Sequence, residues 1–281
     1  MTGAGGFLGG RLAAGLAERG WTVYAVTSRA HGLPHHPRVR GISCSWTREG
    51  LRAALAQVDR ADLWVHAAAR VDFRDEGVHA LYWGNAAFAE LVARRVEQEQ
   101  GKAQLIYLSG INVYGAGQSL RESTEPHPGS HYGLSKLLGE GLCLARLRER
   151  CLVLRLAGVW GRQGVPTLFV NRCLDQAQAG ETITLHGRGS GKRNYLWAGD
   201  LPGLAVAAFE QGWHGIRLAA GPELLSVHSM VEAIAARFGV PLVIQDRAAE
   251  GPEPDVIVET SEGLRTTSFW TGLEMEVAEA K

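Results

Sequence analysis

Between residues 21 and 156, short apolar runs with no polar alternate face recur between longer segments that are apolar on one face only. WTVYAV (21–26), ADLWVHAAA (61–69), QLIYLS (104–109) and CLVLRL (151–156) are the short runs. A strand of this kind is buried on both faces, and the arrangement that does this is a parallel sheet covered by helices on each side. The longer segments supply the helices. Leu8, Leu12 and Leu16 recur at helical spacing and Gly20 closes that segment. Segments 51–58, 79–98 and 132–150 follow, the last with Leu134, Leu137, Leu138, Leu142 and Ala145 as its apolar set. The pattern predicts an α/β, doubly wound parallel sheet over residues 1–162. After Gly161 the rhythm changes. Helices are expected at 166–179, 201–211 and 227–238, and strands at 182–185 and 195–198. These place a smaller domain mainly at 163–281, with about 195–218 returning to the first. The last thirty or so residues are weakly patterned.

Composition narrows the function classes. Lys+Arg and Asp+Glu balance at 29 each, which argues against a generally basic nucleic-acid binder. The four cysteines, at 44, 143, 151 and 173, form no C-x-x-C pair, so they are expected as reduced thiols of a cytoplasmic protein. No apolar run approaches the ~20 residues a membrane span needs, and no signal-peptide pattern opens the chain. His35, His36 and His66 lack metal-ligand spacing, so no metal is expected.

Gly3, Gly6 and Gly9 form G-x-x-G-x-x-G at the mouth of the first helix. Such glycines permit a tight turn, close backbone approach to a pyrophosphate and close helix–sheet contact. The helix N-terminus then offers free N–H groups and partial positive charge. A plain glycine-rich turn is the competing reading. Thr2 before it and Phe7-Leu8 within it sharpen the first.

With its neighbours, TGAGGFLGG resembles the cofactor turn of the extended short-chain dehydrogenase/reductase family, the NAD-dependent epimerase/dehydratase group. Further segments match that family in order. VHAAA, ending in Ala67, Ala68 and Ala69, resembles the strand that lines the cofactor, and YLSGINVYG (107–115) the following strand. HYGLSKLLGE carries Y-x-x-x-K at Tyr132 and Lys136. LRLAGVWG, with Val159, resembles the segment passing the nicotinamide, and RNYLWAGDL, starting at Arg193, resembles an R-D-F-x-x-V-D-D-V segment. The resemblance covers about residues 2–240. It also implies a central first strand before the glycine turn, where this sequence opens at Met1. The expectation is a start further upstream, or a sheet with a gap or another segment in that place.

The resemblance implies roles residue by residue. Lys136 would bind the nicotinamide ribose and lower the Tyr132 pKa, and Tyr132 would exchange a proton with a substrate hydroxyl or ketone. The family's third member is a Ser or Thr in S-[S/T]-x-x-V-Y-G, and that position is Gly110 here, with Ser109 matching the preceding serine. Three readings stay open: Ser109 reaches in, Asn112 does, or the protein is slow or repurposed. Thr27, Ser28 and Arg29 stand where an acid would select NAD, and hydroxyls with a guanidinium suit a 2′-phosphate, so NADP is favoured over NAD. Where relatives carry an Asp that meets the adenine, this chain has Ser45-Trp46. Arg193, helped by Arg188 and Lys192, is expected on a substrate diphosphate; a second arginine is sought at Arg247, four residues before Gly251. Ile111 and Asn112 replace the carboxylate that marks dehydratases. The function implied is hydride transfer to or from a nucleotide-activated sugar, with a keto-sugar reductase favoured over an epimerase, in a homodimer. The alternative is a non-catalytic dinucleotide-binding sensor or scaffold.

Overall fold

The buried strands pair side by side as the sequence pattern requires. A computed structural model describes residues 1–29, 32–71, 77–99, 103–115, 119–245 and 254–279. Gln104–Gly110 lies between Leu63–His66 and Cys151–Leu156, parallel to both, and Gly215–Ala219 extends the row beyond Cys151–Leu156. Cys151–Leu156 is buried at all six positions, as a strand covered on both faces must be. Val23–Thr27 pairs in parallel with Val39–Ser43. The second of these carries only one buried residue, Ile42, which is why its VRGIS sequence gives no strand signal.

The two halves of the sheet meet at the start of the chain. Thr2 bridges in parallel to Val26 on one side and His66 on the other. The Val26 amide donates to the Met1 carbonyl, and the Thr2 amide donates to Val65. Met1–Gly3 thus forms a short central rung. Below it, Met1, Leu16, Val23, Tyr24, Leu63 and Val65 line a cleft between the flanking strands.

Helices pack on the sheet, though not all through the faces the spacing suggests: in the helix His131–Leu147 the buried side is Ser135, Lys136, Gly139, Glu140, Cys143 and Leu147, while Leu134, Leu138 and Ala145 of the expected apolar set are exposed. Leu105, Tyr107 and Val153 share a core with Phe88, Val92, Cys143 and Leu147. The segment expected as one helix over 79–98 is broken. A short helix Val78–Leu81 passes into a π-helical turn, Tyr82–Ala87, before Phe88–Glu97 resumes. Two compact units are present. One comprises 1–116, 123–156 and 201–217; the other comprises 117–122, 157–200 and 218–281. The second has its own core, in which Trp160, Val170, Leu174, Ile183, Met230, Ile234 and Phe269 are buried. Its helix Phe269–Ala278, capped by Ser268, lies in the stretch that looked unpatterned.

Candidate functional site

The glycine turn runs into the helix Phe7–Glu18, whose N-cap is Gly6, with no side-chain cap. Its first N–H groups therefore face outward without a side chain competing for them. Gly3 has φ +75°, and a Cβ there would stand 2.5 Å from the Ala68 nitrogen. A Cβ on Gly9 would stand 2.0 Å from the Gly3 carbonyl oxygen. Both positions exclude any side chain, because the turn lies against Ala67-Ala68 and the helix lies against the turn. At Gly6 a Cβ would meet only the Gly3 oxygen, at 3.3 Å, so the space there opens outward. An open-sided cleft results. It brings together Gly3, Gly6, Thr27, Ser28, Arg29, Ala67, Ala68 and Ala69, and adds Gly5, Trp46 and Arg70. A dinucleotide's phosphates fit this cradle: it is lined by backbone, carries a free helix N-terminus and, among the described residues, contains no acid. Phe7, Leu8 and Gly9 form the first turn of the helix behind it.

Thr27 differs from expectation in detail. Its hydroxyl accepts from the Arg29 amide at 3.0 Å, and the residue is buried. Thr27 thus shapes the turn that presents Ser28 and Arg29, both exposed. Its hydroxyl is already engaged.

A second cluster surrounds the helix His131–Leu147, which starts on Ser130 as N-cap. Tyr132 and Lys136 are one turn apart on it. Lys136 is buried, and its ammonium donates to the Leu108 carbonyl at 2.7 Å and lies 4.2 Å from the centroid of the Tyr107 ring. Burial pulls the Lys136 pKa down to about 8, against an opposing pull from Glu140. Burial also pushes the Tyr132 phenol up to about 12. The lowered phenol that the sequence implies is absent from the protein alone, because desolvation dominates and the ammonium is held at the end of the Gln104–Gly110 strand.

Ser109 is held from below. Its hydroxyl donates to Glu140 at 2.5 Å, and Arg155 donates to the same carboxylate at 2.6 Å and, through another nitrogen, to the Tyr114 hydroxyl at 2.7 Å. Glu140 and Arg155 are each about 2% exposed at the side chain, so the pair is fully enclosed. Gly110 has φ −157°, ordinary extended backbone. A Cβ there would make ordinary contacts, 3.4 Å from Asn112 Oδ1 and 3.6 Å from the Leu156 oxygen. Nothing in the packing forces glycine at this position.

Val159 and Arg193 belong to the second unit. Val159 pairs with Leu196. The Arg193 guanidinium donates to the carbonyls of Pro254 and Lys192, while Arg188 and Lys192 are exposed. Arg247 and Gly251 lie outside the described residues.

Several residues escaped sequence reasoning. Arg155 was visible as the lone charge in a buried strand, and Glu140 as an acid one turn after Lys136 on a buried stripe. Asn85 and Arg70 had no such signal, since the π-helical turn that joins them is a tertiary feature. Among the described residues, no helix is long and apolar enough to cross a membrane.

The model of the NAD dependent epimerase/dehydratase family matches residues 1–221. An uncharacterised protein of Sinorhizobium fredii is 28% identical over 217 residues, which is 74% of this chain and 52% of that protein. A decarboxylating sterol-4-alpha-carboxylate 3-dehydrogenase of Dictyostelium discoideum is 27% identical over 62% of this chain and 57% of its own length. The chain thus spans little more than half of these curated relatives. A UDP-glucuronic acid 4-epimerase from Bacillus cereus, solved with NAD, superimposes with a TM-score of 0.78 at 21% identity, covering 99% of this chain and 97% of that one. At such identity the likeness establishes the fold.

Proposed function

The chain belongs to the NAD-dependent epimerase/dehydratase family, and from that premise we propose that it is an NADP-dependent reductase of a nucleotide-activated keto-sugar. The observation that carries this is Tyr132 one helical turn from Lys136, whose ammonium is fixed to the Leu108 carbonyl beside the sheet that holds the glycine cleft. Gly3, Gly6 and the Phe7–Glu18 N-terminus would hold the cofactor's diphosphate, with Ser28 and Arg29 near its adenosine end. Lys136 would hold the nicotinamide ribose through its ammonium, and Val159 and Arg193 would serve the nicotinamide and the substrate diphosphate. The bound cofactor supplies the hydride. The protein's part is to orient the keto carbon and deliver a proton from the Tyr132 hydroxyl to the developing alkoxide. A phenol held near 12 keeps its proton at neutral pH, which suits an acid in the reducing direction.

The test is loss of NADPH absorbance on adding a 4-keto-sugar nucleotide, with Tyr132→Phe as control. Turnover should vanish in the variant while cofactor binding persists. Unchanged turnover removes Tyr132 from the mechanism, and sugar interconversion without net cofactor oxidation makes the protein an epimerase. One observation favours a second reading, a dinucleotide-binding sensor without catalysis: Gly110 offers no hydroxyl and that of Ser109 is bonded to Glu140. Gly110→Ser has room for its Cβ and separates the two. A gain in rate, on the order of 10²–10³, marks an enzyme lacking one donor, while no turnover in either form supports the sensor.

A homodimer is part of the proposal. Leu134 and Leu138 on the tyrosine helix are 41% and 45% exposed, and Trp83 on the adjoining π-helical turn is 51% exposed. An apolar helical face of this kind is suited to a second copy. The four cysteines are free and buried, in keeping with a reducing cytoplasm as the place of action.

A further inference from the structure

An oxygen that gains charge during a reaction is held best by donors already in place, and the Tyr132 hydroxyl supplies one. The side chains beside it decide whether there is a second. Ser109 donates its hydroxyl proton to Glu140, at 2.5 Å, and Gly110 has no side chain to offer. The next candidate lies two residues on. The strand Gln104–Gly110 runs directly into a short helical turn, Ile111–Tyr114. This turn is fixed from below: Val113 and Tyr114 are buried, and the Tyr114 hydroxyl accepts from Arg155 at 2.7 Å. With those two side chains turned inward, Asn112 is left exposed. Among the described residues no hydrogen bond engages its carboxamide.

Two contacts place that carboxamide. A Cβ on Gly110 would stand 3.4 Å from Asn112 Oδ1, its nearest neighbour. The carboxamide therefore lies against the space that a side chain at position 110 would fill. Gly133 supplies the second contact. A Cβ there would stand 2.3 Å from the Asn112 carbonyl oxygen, so the turn presses on the residue that follows Tyr132. Gly133 is itself held by its amide, which donates to the Ser130 cap at 3.1 Å. Asn112, the open side of Gly110 and the backbone of Tyr132 thus share one corner, within the first compact unit. A carboxamide carries an acceptor oxygen and two N–H donors on one flat group, and a half-turn about its last side-chain bond exchanges them in place. The same position can therefore present a donor.

We propose that Asn112 is the second donor of this site: its Nδ2–H holds the substrate's carbonyl oxygen while Tyr132 gives that oxygen its proton. The amide N–H bond stays intact. Charge grows on the oxygen as the keto carbon is reduced, the Asn112 hydrogen bond offsets it, and the oxygen ends as a hydroxyl carrying the Tyr132 proton. The inference rests on the reductase reading above and supplies the donor that Gly110 lacks. Asn112→Ala should lower kcat about a hundredfold, as for a lost oxyanion donor, with KM nearly unchanged, and Asn112→Asp, of the same shape, should be no better. Gly110→Ser should raise the rate of Asn112→Ala at least about tenfold more than it raises that of wild type, because either residue fills the one role. A second readout needs no turnover: the carbonyl stretching band of a UDP-linked 4-keto-6-deoxyhexose bound together with NADP+, which has no hydride to give. The band should lie lower in wild type than in either Asn112 variant, since a hydrogen bond weakens the carbonyl double bond. Fluorescence titration with NADPH and thermal melting should match wild type in each variant, and if Asn112→Ala melts early, the isosteric Asn112→Asp carries the test. Turnover and band unchanged in the folded variants, or the same gain from Gly110→Ser in both backgrounds, overturns the proposal. No turnover in any form removes the reductase reading, and the band then decides alone. A shift that is lost with Asn112 leaves the donor standing; no shift, or no binding of the probe, overturns it.

Discussion

Lys136 is expected to weaken the protein it serves, and Lys136→Met measures by how much. The ammonium is enclosed, and its pKa falls from 10.5 to about 8 through burial. At about 1.4 kcal/mol for each pH unit between those values, the charge costs the folded state roughly 3 kcal/mol at neutral pH. Methionine fills similar space without charge. It forfeits the charge-assisted bond to the Leu108 carbonyl, worth about 1.5 kcal/mol. The variant should therefore be more stable than wild type by about 1.5 kcal/mol at pH 7, measured by urea denaturation without ligand. The pH dependence supplies the sign. Between about 8 and 10.5 the folded lysine binds fewer protons than the unfolded one, so wild-type stability rises with pH across that window. By pH 9.5 the advantage of the variant should shrink to about half a kcal/mol or less. Tyr132 titrates the other way: with its pKa raised from 10.0 to about 12, its contribution is intact below 10 and is lost as pH rises through 12. Measurements below pH 10 avoid it. A less stable variant at pH 7, or a gap that does not change with pH, would refute the reasoning.

Acid should expose a second buried base. His66 is fully buried and burial, with smaller repulsion from Lys136 and the chain's amino terminus, pulls its pKa from 6.5 to about 3, so folding stability falls as pH drops below 6.5. The loss between pH 6.5 and 4 should be roughly 3 kcal/mol, and His66→Asn should remove that share of the slope in denaturation midpoints. The Glu140–Arg155 pair should show strong coupling. Arg155→Met strands a buried carboxylate and should cost about 3–5 kcal/mol, while Glu140→Leu with Arg155→Met should recover most of it; additive losses in the double-mutant cycle would contradict the geometry. Gly3→Ala forces a Cβ onto Ala68 at φ +75° and should lower stability by at least about 2 kcal/mol and abolish NADPH binding in the same titration.

Val23–Thr27, Leu63–His66, Gln104–Gly110 and Cys151–Leu156 were legible because burial on both faces leaves a continuous apolar run, whereas Gly215–Ala219, whose GIRLA sequence carries an arginine and only two buried residues, was not. Cys151–Leu156 and the helix Val227–Phe238 appear at the residues the pattern marks. Val39–Ser43 was not legible, since an edge strand with one buried side chain reads like a loop. The helix over 79–98 was legible as helix but not as interrupted, because apolar spacing does not reveal where a turn widens.

For the candidate site, the sequence by itself determined the local chemistry: a glycine turn opening a helix, a tyrosine four residues before a lysine, and Gly110 in place of a hydroxyl. Each depends on neighbours along the chain or on the absence of an atom. The tertiary structure decided the rest, because it depends on which distant groups share a buried space. It tied Ser109 to Glu140 and Arg155, and it held Lys136 on the Leu108 carbonyl where desolvation sets its charge. It also placed Arg70 in the cleft through Asn85, fifteen residues away in sequence. Low-dielectric enclosure turns such encounters into firm constraints, and no one-dimensional pattern encodes which charges will be enclosed together.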